Sequence, residues 1–376
     1  MTRRIMDSIS QAGSIRVNQL VSEAQRAGRD VTVLSLGEAF FDIPMFDFAK
    51  LDFARGHHYS DSRGVPGLRQ RIADYYRESH GVRANPDTNV LVSIGSKMCI
   101  YLALMALLEP GDEVLVHEPY WLSYPAQVRL ARGVPVAIPH STSAAAFKEY
   151  FTPRTKVVIL NNPNNPAGNV YDAEALRHIY GLCRAHDATL LVDEAYSDFC
   201  TSGEFSSSGL LDSSFQNLVV VNSLSKNMGM SGWRLGYMLA HEKVLADALK
   251  LNQHLVTCAP TVLQLYCDAY FDDIRRCVAP QIDAVVKKRE RVRAMIERFG
   301  LEAMSGSSTF YFLVNIAASG LDSEEYADRL LREKAIAVVP GKYYGESVNR
   351  FVRIGIGTES EERIEAALAV ISASLR

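Results

Sequence analysis

The stretch Asn222-Ser-Leu-Ser-Lys-Asn-Met-Gly-Met-Ser-Gly-Trp-Arg234 follows a run of β-type residues, Leu218 to Val221, which predicts a short buried strand. A lysine at the mouth of an α/β sheet is desolvated, and desolvation lowers the pKa of its amine. The free amine can then form a Schiff base with a carbonyl group. Serine hydroxyls and a guanidinium nearby suit a phosphate monoester. This combination indicates pyridoxal 5′-phosphate (PLP), although a solvated lysine would explain the stretch if nothing else agreed.

Six further motifs agree with this interpretation, and they lie along the chain in the order Tyr59-Ser-Asp-Ser-Arg-Gly-Val-Pro-Gly-Leu-Arg69, Gly95-Ser-Lys97, Glu118-Pro-Tyr-Trp-Leu-Ser-Tyr-Pro125, Asn161-Asn-Pro-Asn-Asn-Pro-Ala-Gly168, Val192-Asp-Glu-Ala-Tyr196 and Phe351-Val-Arg-Ile354. Together with the lysine stretch they resemble the class I/II aminotransferases, which are fold-type I PLP enzymes. The resemblance covers nearly the whole chain. It implies a three-layer α/β large domain with a mostly parallel sheet and a smaller α+β domain.

The composition is that of an ordinary soluble protein: of 376 residues, 48% are hydrophobic and 22% are charged, and the formal net charge is −3. The charge gives no sign of nucleic-acid binding, and no apolar run is long enough to cross a membrane. The N-terminus lacks the apolar core of a signal peptide. The six cysteines are scattered without a CxxC pair. We therefore expect reduced cysteines, a cytoplasmic protein and no metal site.

Strand-like and helix-like segments alternate from Val90 to Val221, which predicts an α/β domain with a mostly parallel sheet. Residues 241–298 are predicted to be largely helical, with an interruption at 252–260 and a long helix that begins near Pro280. From Phe310 onwards, the order strand, helix, strand, strand, helix predicts a compact α+β unit.

The N-terminal part is predicted to form a helical arm over residues 5–28 and a strand over residues 31–36. We assign this arm to the second domain. The expected division is therefore a large PLP-binding domain at 46–285 and a small domain made of 1–45 and 286–376.

A PLP site needs an acid at the pyridine nitrogen and a cover over the ring. Asp193 ends a predicted strand, so its carboxylate can pair with the protonated nitrogen. Glu194 directly follows it as a rival, and the family's pattern favours the aspartate. Trp121 can stack on the ring, with Tyr120 as the runner-up.

The phosphate of PLP needs cations and N–H donors. Gly95-Ser-Lys97 turns from a strand into a helix, and free backbone N–H groups and the positive end of the helix dipole then face an anion. An ordinary capped turn is the alternative. The candidate phosphate-binding residues are Gly95, Ser96, Lys97, Ser223, Ser225 and Arg234.

The resemblance extends to the catalytic and substrate-binding roles. It implies that Lys226 is the Schiff-base lysine and proton shuttle, that Tyr196 and Asn165 donate to the phenolic oxygen of PLP, and that the Asn165–Pro166 peptide is cis.

The resemblance further implies that Arg353 clamps the substrate carboxylate, that Gly37 approaches the substrate with its backbone, and that Tyr59 reaches the phosphate of the neighbouring subunit. The active unit would then be a homodimer with shared sites. Ala39 stands where the family usually has proline, which puts the local loop shape in doubt.

These residues predict an aminotransferase that moves the α-amino group of an L-amino acid to a 2-oxo acid by a ping-pong mechanism. A PLP-dependent lyase, decarboxylase or cyclase stays open, because the bond that breaks depends on its alignment over the ring. A ligand-sensing domain of a transcription regulator is disfavoured, since no basic DNA-binding module precedes the first strand.

Side-chain specificity cannot be read from the sequence. Arg16 could bind an acidic side chain or be solvated. The candidates for an aromatic wall are Phe40, Phe41, Tyr311, Tyr343 and Tyr344.

Overall fold

The computed structural model describes residues 5–201 and 203–375. Its strands are β1 Thr32–Val33, β2 Val90–Ser93, β3 Glu113–His117, β4 Val134–Ile138, β5 Thr155–Asn161, β6 Thr189–Asp193, β7 Leu218–Ser223, β8 Gly236–Ala240, β9 Tyr311–Asn315, β10 Ile336–Ala337, β11 Val339–Pro340 and β12 Phe351–Gly355. Its helices are α1 Gly13–Arg26, α2 Phe53–Gly56, α3 Pro66–His80, α4 Ser96–Leu107, α5 Tyr124–Leu130, α6 Ala173–Ala185, α7 Leu224–Asn227, α8 Glu242–Leu255, α9 Thr261–Arg298, α10 Ser323–Lys334 and α11 Glu361–Ser374.

A seven-stranded sheet, in the order β2-β8-β7-β6-β5-β3-β4, forms the centre of the large domain. The five strands from β7 to β4 are parallel, whereas β8 is antiparallel to both β7 and β2. Asn161 at the end of β5 pairs in register with Asp193, and Asp193 pairs with Val221 of β7. The carboxyl ends of these strands therefore meet at one edge, where open α/β sheets bind their ligands. The predicted α/β fold with a mostly parallel sheet is confirmed.

Both faces of this sheet are covered, which gives three layers. Along β6, Leu190 and Val192 pack into one cluster with α3, α6 and α9, whereas Leu191 packs into a second cluster with α4, α5 and α8. Alternate residues of a strand point to opposite faces. Because both faces of this sheet are buried, a strand such as β6 needs a continuous run of apolar residues. Full burial of each such side chain contributes about 1.5–3 kcal/mol.

The small domain is built on an antiparallel sheet in the order β11-β12-β9. Arg353 lies on the central strand, between Val339 and Leu313. A separate parallel pair joins β1 to β10. The predicted order of strands and helices after residue 310 is found with one difference: the single strand predicted at 337–339 is divided into β10 and β11, which belong to different sheets. The strand predicted at 31–36 is reduced to Thr32–Val33, although Leu34 still donates its backbone N–H to the carbonyl of Ala337.

The expectation that a long helix begins near Pro280 is wrong. Helix α9 begins at Thr261 and contains Pro280, and its backbone departs from helical angles only at Tyr270. Proline costs a helix about 3 kcal/mol. Buried residues at helical spacing around it, Ile274, Val278 and Ile282, supply the packing that offsets this cost.

Two other helical predictions also change. The N-terminal arm is a 3₁₀ turn at Ile5–Ser8 followed by α1, instead of one helix over 5–28. The boundary predicted between 285 and 286 falls inside α9, so one helix contributes to both parts, and the division into domains stays a prediction. Within 5–201 and 203–375, no helix has the length and apolar character of a membrane span.

Candidate active site

A cavity of about 280 Å³ lies at the carboxyl edge of β5, β6 and β7, where the small domain faces the sheet. Of the residues predicted from the sequence, it is lined by Gly37, Ser96, Lys97, Trp121, Asn165, Asp193, Tyr196, Ser223, Ser225, Lys226, Arg234 and Arg353. Three predicted residues, Gly95, Tyr59 and Arg16, are not part of the lining.

Lys226 lies on the short helix α7, directly after β7. Its Nζ donates a hydrogen bond to the backbone carbonyl of Gly37 at 2.6 Å. Burial lowers the pKa of Lys226 to about 8. The Glu38 carboxylate acts in the opposite direction, while Arg353 and Arg234 lower the pKa further. Burial therefore lowers the pKa of this amine, as expected for a lysine that follows a buried strand, and a fraction of it is unprotonated near neutral pH.

Asp193 is a buried carboxylate at the end of β6. Its Oδ2 accepts a hydrogen bond from the Tyr124 hydroxyl at 2.8 Å, and its Oδ1 accepts one from the backbone N–H of Ala195 at 3.2 Å. Burial raises the pKa of Asp193 to about 6. No salt bridge to this carboxylate occurs among the described residues, so a cationic ligand group is the partner that would favour its charged form.

Glu194, the rival acid, lies outside the cavity. Its carboxylate accepts hydrogen bonds from Ser207, Ser208 and the Tyr76 hydroxyl. Adjacent residues at a strand end point to opposite sides, which separates the two acids. Of these two neighbouring acids, the structure therefore places Asp193 at the cavity and Glu194 away from it.

Arg353 is buried, with 3% of its surface exposed. Its Nη2 donates to the backbone carbonyl of Ser35 at 2.7 Å, and its Nη1 donates to Asn165 Oδ1 at 3.3 Å. Its Nε is buried without a hydrogen-bond partner among the described residues. Because Arg353 lines the cavity, its planar guanidinium is a site for a carboxylate, which can bind such a fork with two oxygens.

Asn165 and Tyr196 lie beside this arginine. Asn165 Nδ2 donates to the Tyr196 hydroxyl at 3.2 Å, and this hydroxyl is also 3.0 Å from the hydroxyl of Tyr311. The Asn165–Pro166 peptide is cis, as the resemblance implied.

The other end of the cavity is rich in anion donors. Helix α4 begins at Ser96, so its first N–H groups are free of intrahelical partners. Arg234 and Lys97 bring two cations to the same end, and burial together with Arg234 lowers the pKa of Lys97. Gly95 has φ +91°, and a Cβ there would lie 2.6 Å from Nη2 of Arg234. Only glycine lets the guanidinium approach the helix start so closely.

The residues outside the lining occupy distinct places. Tyr59 is 84% exposed on the surface. Arg16 lies beside a separate outer cavity of about 860 Å³ that Tyr120 and Tyr343 also line, and Leu122 separates this outer cavity from the inner one. Of the aromatic candidates, only Tyr311 lines the inner cavity; Phe40, Phe41, Tyr343 and Tyr344 do not. Trp121 lines it and the runner-up Tyr120 does not.

Several lining residues were not predicted. Ser231 donates to Glu38 Oε1 at 2.7 Å, which places a carboxylate close to Lys226. Ser14 and Asn18 come from α1, where a spacing of four residues puts them on one face. That spacing of small polar residues is the only sequence signal for them. Ser35, Leu122 and Ala195 also line the cavity.

The donor set fits PLP. One cavity brings together the buried acid Asp193, the amine of Lys226 and the polar pair Asn165 and Tyr196. It also contains the cationic start of α4, where the absence of a side chain at Gly95 leaves room for Arg234.

Comparison with known proteins supports this conclusion. The family described as "Aminotransferase class I and II" matches residues 24–371. A probable aspartate/prephenate aminotransferase of Thermus aquaticus is 32% identical, over 98% of each chain. An aromatic-amino-acid aminotransferase of Thermococcus litoralis is 30% identical, over 96% of each chain.

Solved structures agree. The aspartate aminotransferase of Thermus thermophilus with maleate superposes with a TM-score of 0.89 at 29% identity, covering 99% of each chain. Family, fold, enzyme class and cofactor are thereby confirmed as predicted from the sequence. This chain belongs to the class I and II aminotransferase family and is a PLP-dependent aminotransferase.

Proposed function

We propose that Lys226 carries the cofactor and moves the protons of transamination, and that Arg353 binds the α-carboxylate of both the amino-acid donor and the 2-oxo-acid acceptor. The observation that carries the proposal is the meeting, in one cavity, of an amine of lowered pKa and a buried guanidinium. When bound, PLP supplies an aldehyde and an electron-withdrawing ring.

Asp193 holds the proton on the ring nitrogen. Its carboxylate has no cation of its own, and a buried charge is stabilised by an opposite charge close to it. Trp121 covers one face of the ring, while Asn165 and Tyr196 donate to the phenolic oxygen.

The start of α4 is the part of the cavity that would hold the phosphate. Ser96, Ser223, Ser225 and Arg234 would bind it there, with Lys97 and the backbone at Gly95 completing the anion site. Two cations and a free helix start favour a dianion over any neutral group.

Lys226 acts as the base at the substrate's Cα. An amine with a pKa of about 8 is partly unprotonated at neutral pH, and its tether keeps it at bonding distance. The neutral amine would take the proton from Cα, and the resulting ammonium would return it two atoms further along the reacting system, on the far side of the nitrogen. Donor and acceptor use the same groups in turn, which gives ping-pong kinetics.

Arg353 binds the carboxylate in a region closed to water. Because the guanidinium is buried, a bidentate pair with it is only weakly screened. Gly37, whose carbonyl contacts Lys226, lies on the same side and forms the backbone wall of this subsite. A reaction of the lyase, decarboxylase or cyclase type uses the same groups, and no feature of this site favours it.

The donor class is proposed to be acidic or aromatic amino acids. Relatives named above act on aspartate, prephenate or aromatic amino acids. Tyr311 offers an aromatic surface inside the cavity, and Lys97 offers a cation. Arg16 lies beyond Leu122, so it would contact only a substrate that reaches the outer cavity.

The enzyme is proposed to act as a homodimer in the cytoplasm. Tyr59 and Met45 are 84% and 86% exposed, and Phe40 is 68% exposed, which is unfavourable for large apolar side chains unless another surface covers them. Tyr59 would then reach the partner's phosphate site. The six cysteines are all free, which suits a reducing compartment.

A coupled assay tests the proposal. Purified protein and PLP are mixed with a panel of amino acids and 2-oxoglutarate or pyruvate, and oxo-acid product is measured. We expect Lys226→Ala to lower turnover by several orders of magnitude and to lose the visible absorbance of the bound cofactor. The matched control is Lys287→Ala, which removes an exposed lysine on α9 and should change neither. Near wild-type turnover in Lys226→Ala, or release of ammonia or carbon dioxide in place of an oxo acid, would contradict the proposal.

A further inference from the structure

Four side chains form a closed ring along one wall of the cavity. Arg353 Nη1 donates to Asn165 Oδ1 at 3.3 Å, Asn165 Nδ2 donates to the Tyr196 hydroxyl at 3.2 Å, and this hydroxyl lies 3.0 Å from that of Tyr311. The ring closes because the guanidinium carbon of Arg353 is 4.4 Å from the centre of the Tyr311 ring. All four residues are at most 5% exposed.

We propose that Tyr311 is a positioning residue whose hydroxyl orients the Tyr196 hydroxyl toward the phenolic oxygen of the bound cofactor, and whose ring transmits carboxylate binding at Arg353 to Tyr196. The inference rests on the function proposed above, and it adds a residue to that site. Nothing in the lysine or Asn-Pro motifs assigns Tyr311 such a role.

The hydroxyl chemistry of Tyr196 explains the need for Tyr311. The Tyr196 oxygen accepts a hydrogen bond from Asn165 and has one proton to donate. When an acceptor occupies the cavity, Tyr196 turns this proton toward it. Tyr311 can then donate to the Tyr196 oxygen, and such a chain makes Tyr196 a stronger donor. A phenylalanine at 311 would leave the ring stacked on Arg353 but would remove this donor.

The position of Arg353 couples the chain to the substrate. A cation above an aromatic ring draws electron density from it and makes its hydroxyl a better donor. A carboxylate bound to Arg353 neutralises that charge, so the Tyr311 hydroxyl donates a weaker hydrogen bond to Tyr196. The Tyr196 hydroxyl then donates more weakly to the phenolic oxygen. Carboxylate binding is thus sensed at the phenolic oxygen by a second route, besides the direct bond from Arg353 to Asn165.

The measurable quantity is the pKa of the visible chromophore that Lys226 forms with PLP in the absence of substrate. Donation to the phenolic oxygen favours its deprotonated form. The charged groups that line the cavity around this chromophore are Asp193 on β6, Arg353 on β12, Arg234 after the 3₁₀ turn Ser231–Trp233, Lys97 on α4 and Glu38 in the loop after β1. Tyr311→Phe leaves the charge of each of these groups in place and retains the ring beside Arg353.

The experiment compares PLP-loaded wild type, Tyr311→Phe and Tyr344→Phe. Tyr344 is the matched control, since its ring also lies near Arg353, at 5.4 Å, but its buried hydroxyl has no hydrogen-bond partner within residues 5–201 and 203–375. Titration of absorbance against pH should give a chromophore pKa about 0.1–0.7 unit higher in Tyr311→Phe, from a 10–30% weaker charge-assisted hydrogen bond. Tyr344→Phe should match wild type.

A second titration in the presence of succinate, an unreactive dicarboxylate, tests the coupling. Wild type and Tyr344→Phe should show a rise in chromophore pKa on binding, and the rise should be smaller in Tyr311→Phe. PLP affinity, measured by quenching of tryptophan fluorescence in the apoprotein, should fall in Tyr311→Phe alone.

Three results would overturn the inference: an unchanged chromophore pKa in Tyr311→Phe, an equal change in Tyr344→Phe, or an undiminished response to succinate in Tyr311→Phe. These are distinct from failure of the proposed function, in which wild type would form no chromophore with PLP at all and both proposals would fall.

Discussion

Replacing Arg353 with lysine isolates the geometry of the carboxylate site from its charge. Arg353 donates to the carbonyl of Ser35 at 2.7 Å, and its Nε is buried without a hydrogen-bond partner in the described part of the chain. Lysine retains the positive charge but offers a single point donor in place of a planar fork. Loss of one charge-assisted hydrogen bond costs about 1.5–3 kcal/mol. Since 1.4 kcal/mol is a factor of ten, we expect kcat/KM to fall roughly 10- to 150-fold.

The loss should be the same for the amino-acid donor and the oxo-acid acceptor, because both present their α-carboxylate to one guanidinium. Single-turnover absorbance changes measure each half-reaction separately. The control is Arg350→Lys, three residues earlier, where the exposed guanidinium donates to the carbonyls of Gly320 and Leu321. A change of less than about threefold in both half-reactions of Arg353→Lys, with folding intact, would refute the assignment of this arginine, because even one lost charge-assisted bond predicts about tenfold.

Three further predictions concern the cofactor groups. Gly95→Ala forces a Cβ to 2.6 Å from Arg234 at φ +91°, and the resulting strain of about 1–3 kcal/mol should weaken PLP binding roughly 5- to 150-fold in equilibrium dialysis; Gly232→Ala, whose Cβ meets only open space, is the control, and equal affinities would contradict the prediction. Asp193→Asn should have opposite effects with and without PLP. The carboxyl keeps its proton to about pH 6 when folded but loses it near 3.8 when unfolded, so its contribution to the stability of the apoprotein falls as pH rises through that window. At pH 7.5 the apo variant should therefore gain at most about 3 kcal/mol in urea unfolding, while its PLP affinity and turnover fall; a less stable apo variant would argue against this balance. Finally, the amine of Lys226 is nucleophilic only without its proton, so the rate at which apoprotein forms its chromophore with PLP should rise with pH and level off above about 8; a rate that continued to rise towards pH 10 would mean that burial does not lower this pKa.

Much of the fold could be predicted from local sequence. The strands β3 to β7 are short apolar runs between helical segments, and such runs indicate a sheet covered on both faces. Strand β8 was not predicted, although Gly236 to Ala240 is a run of the same kind. This segment forms a strand because it pairs with β2 and β7, both antiparallel to it. Such pairing with distant segments cannot be recognised from a short stretch of sequence. The start of α9 was misplaced for a similar reason, since packing on the core outweighs the local effect of Pro280.

The sequence by itself determined the chemistry of the protein. A lysine after a buried strand, an acid after another and an arginine in a later motif are residue types whose order and spacing point to PLP, and the cavity brings the three together.

Only the tertiary structure decided which polar groups face each other. It separated Asp193 from its neighbour Glu194, moved Arg16 to the outer cavity, and joined Arg353 to Asn165 and Tyr196 to Tyr311 across gaps of 188 and 115 positions. The physical reason is that desolvation, hydrogen bonding and pKa depend on distance and burial in space, which a one-dimensional pattern does not contain.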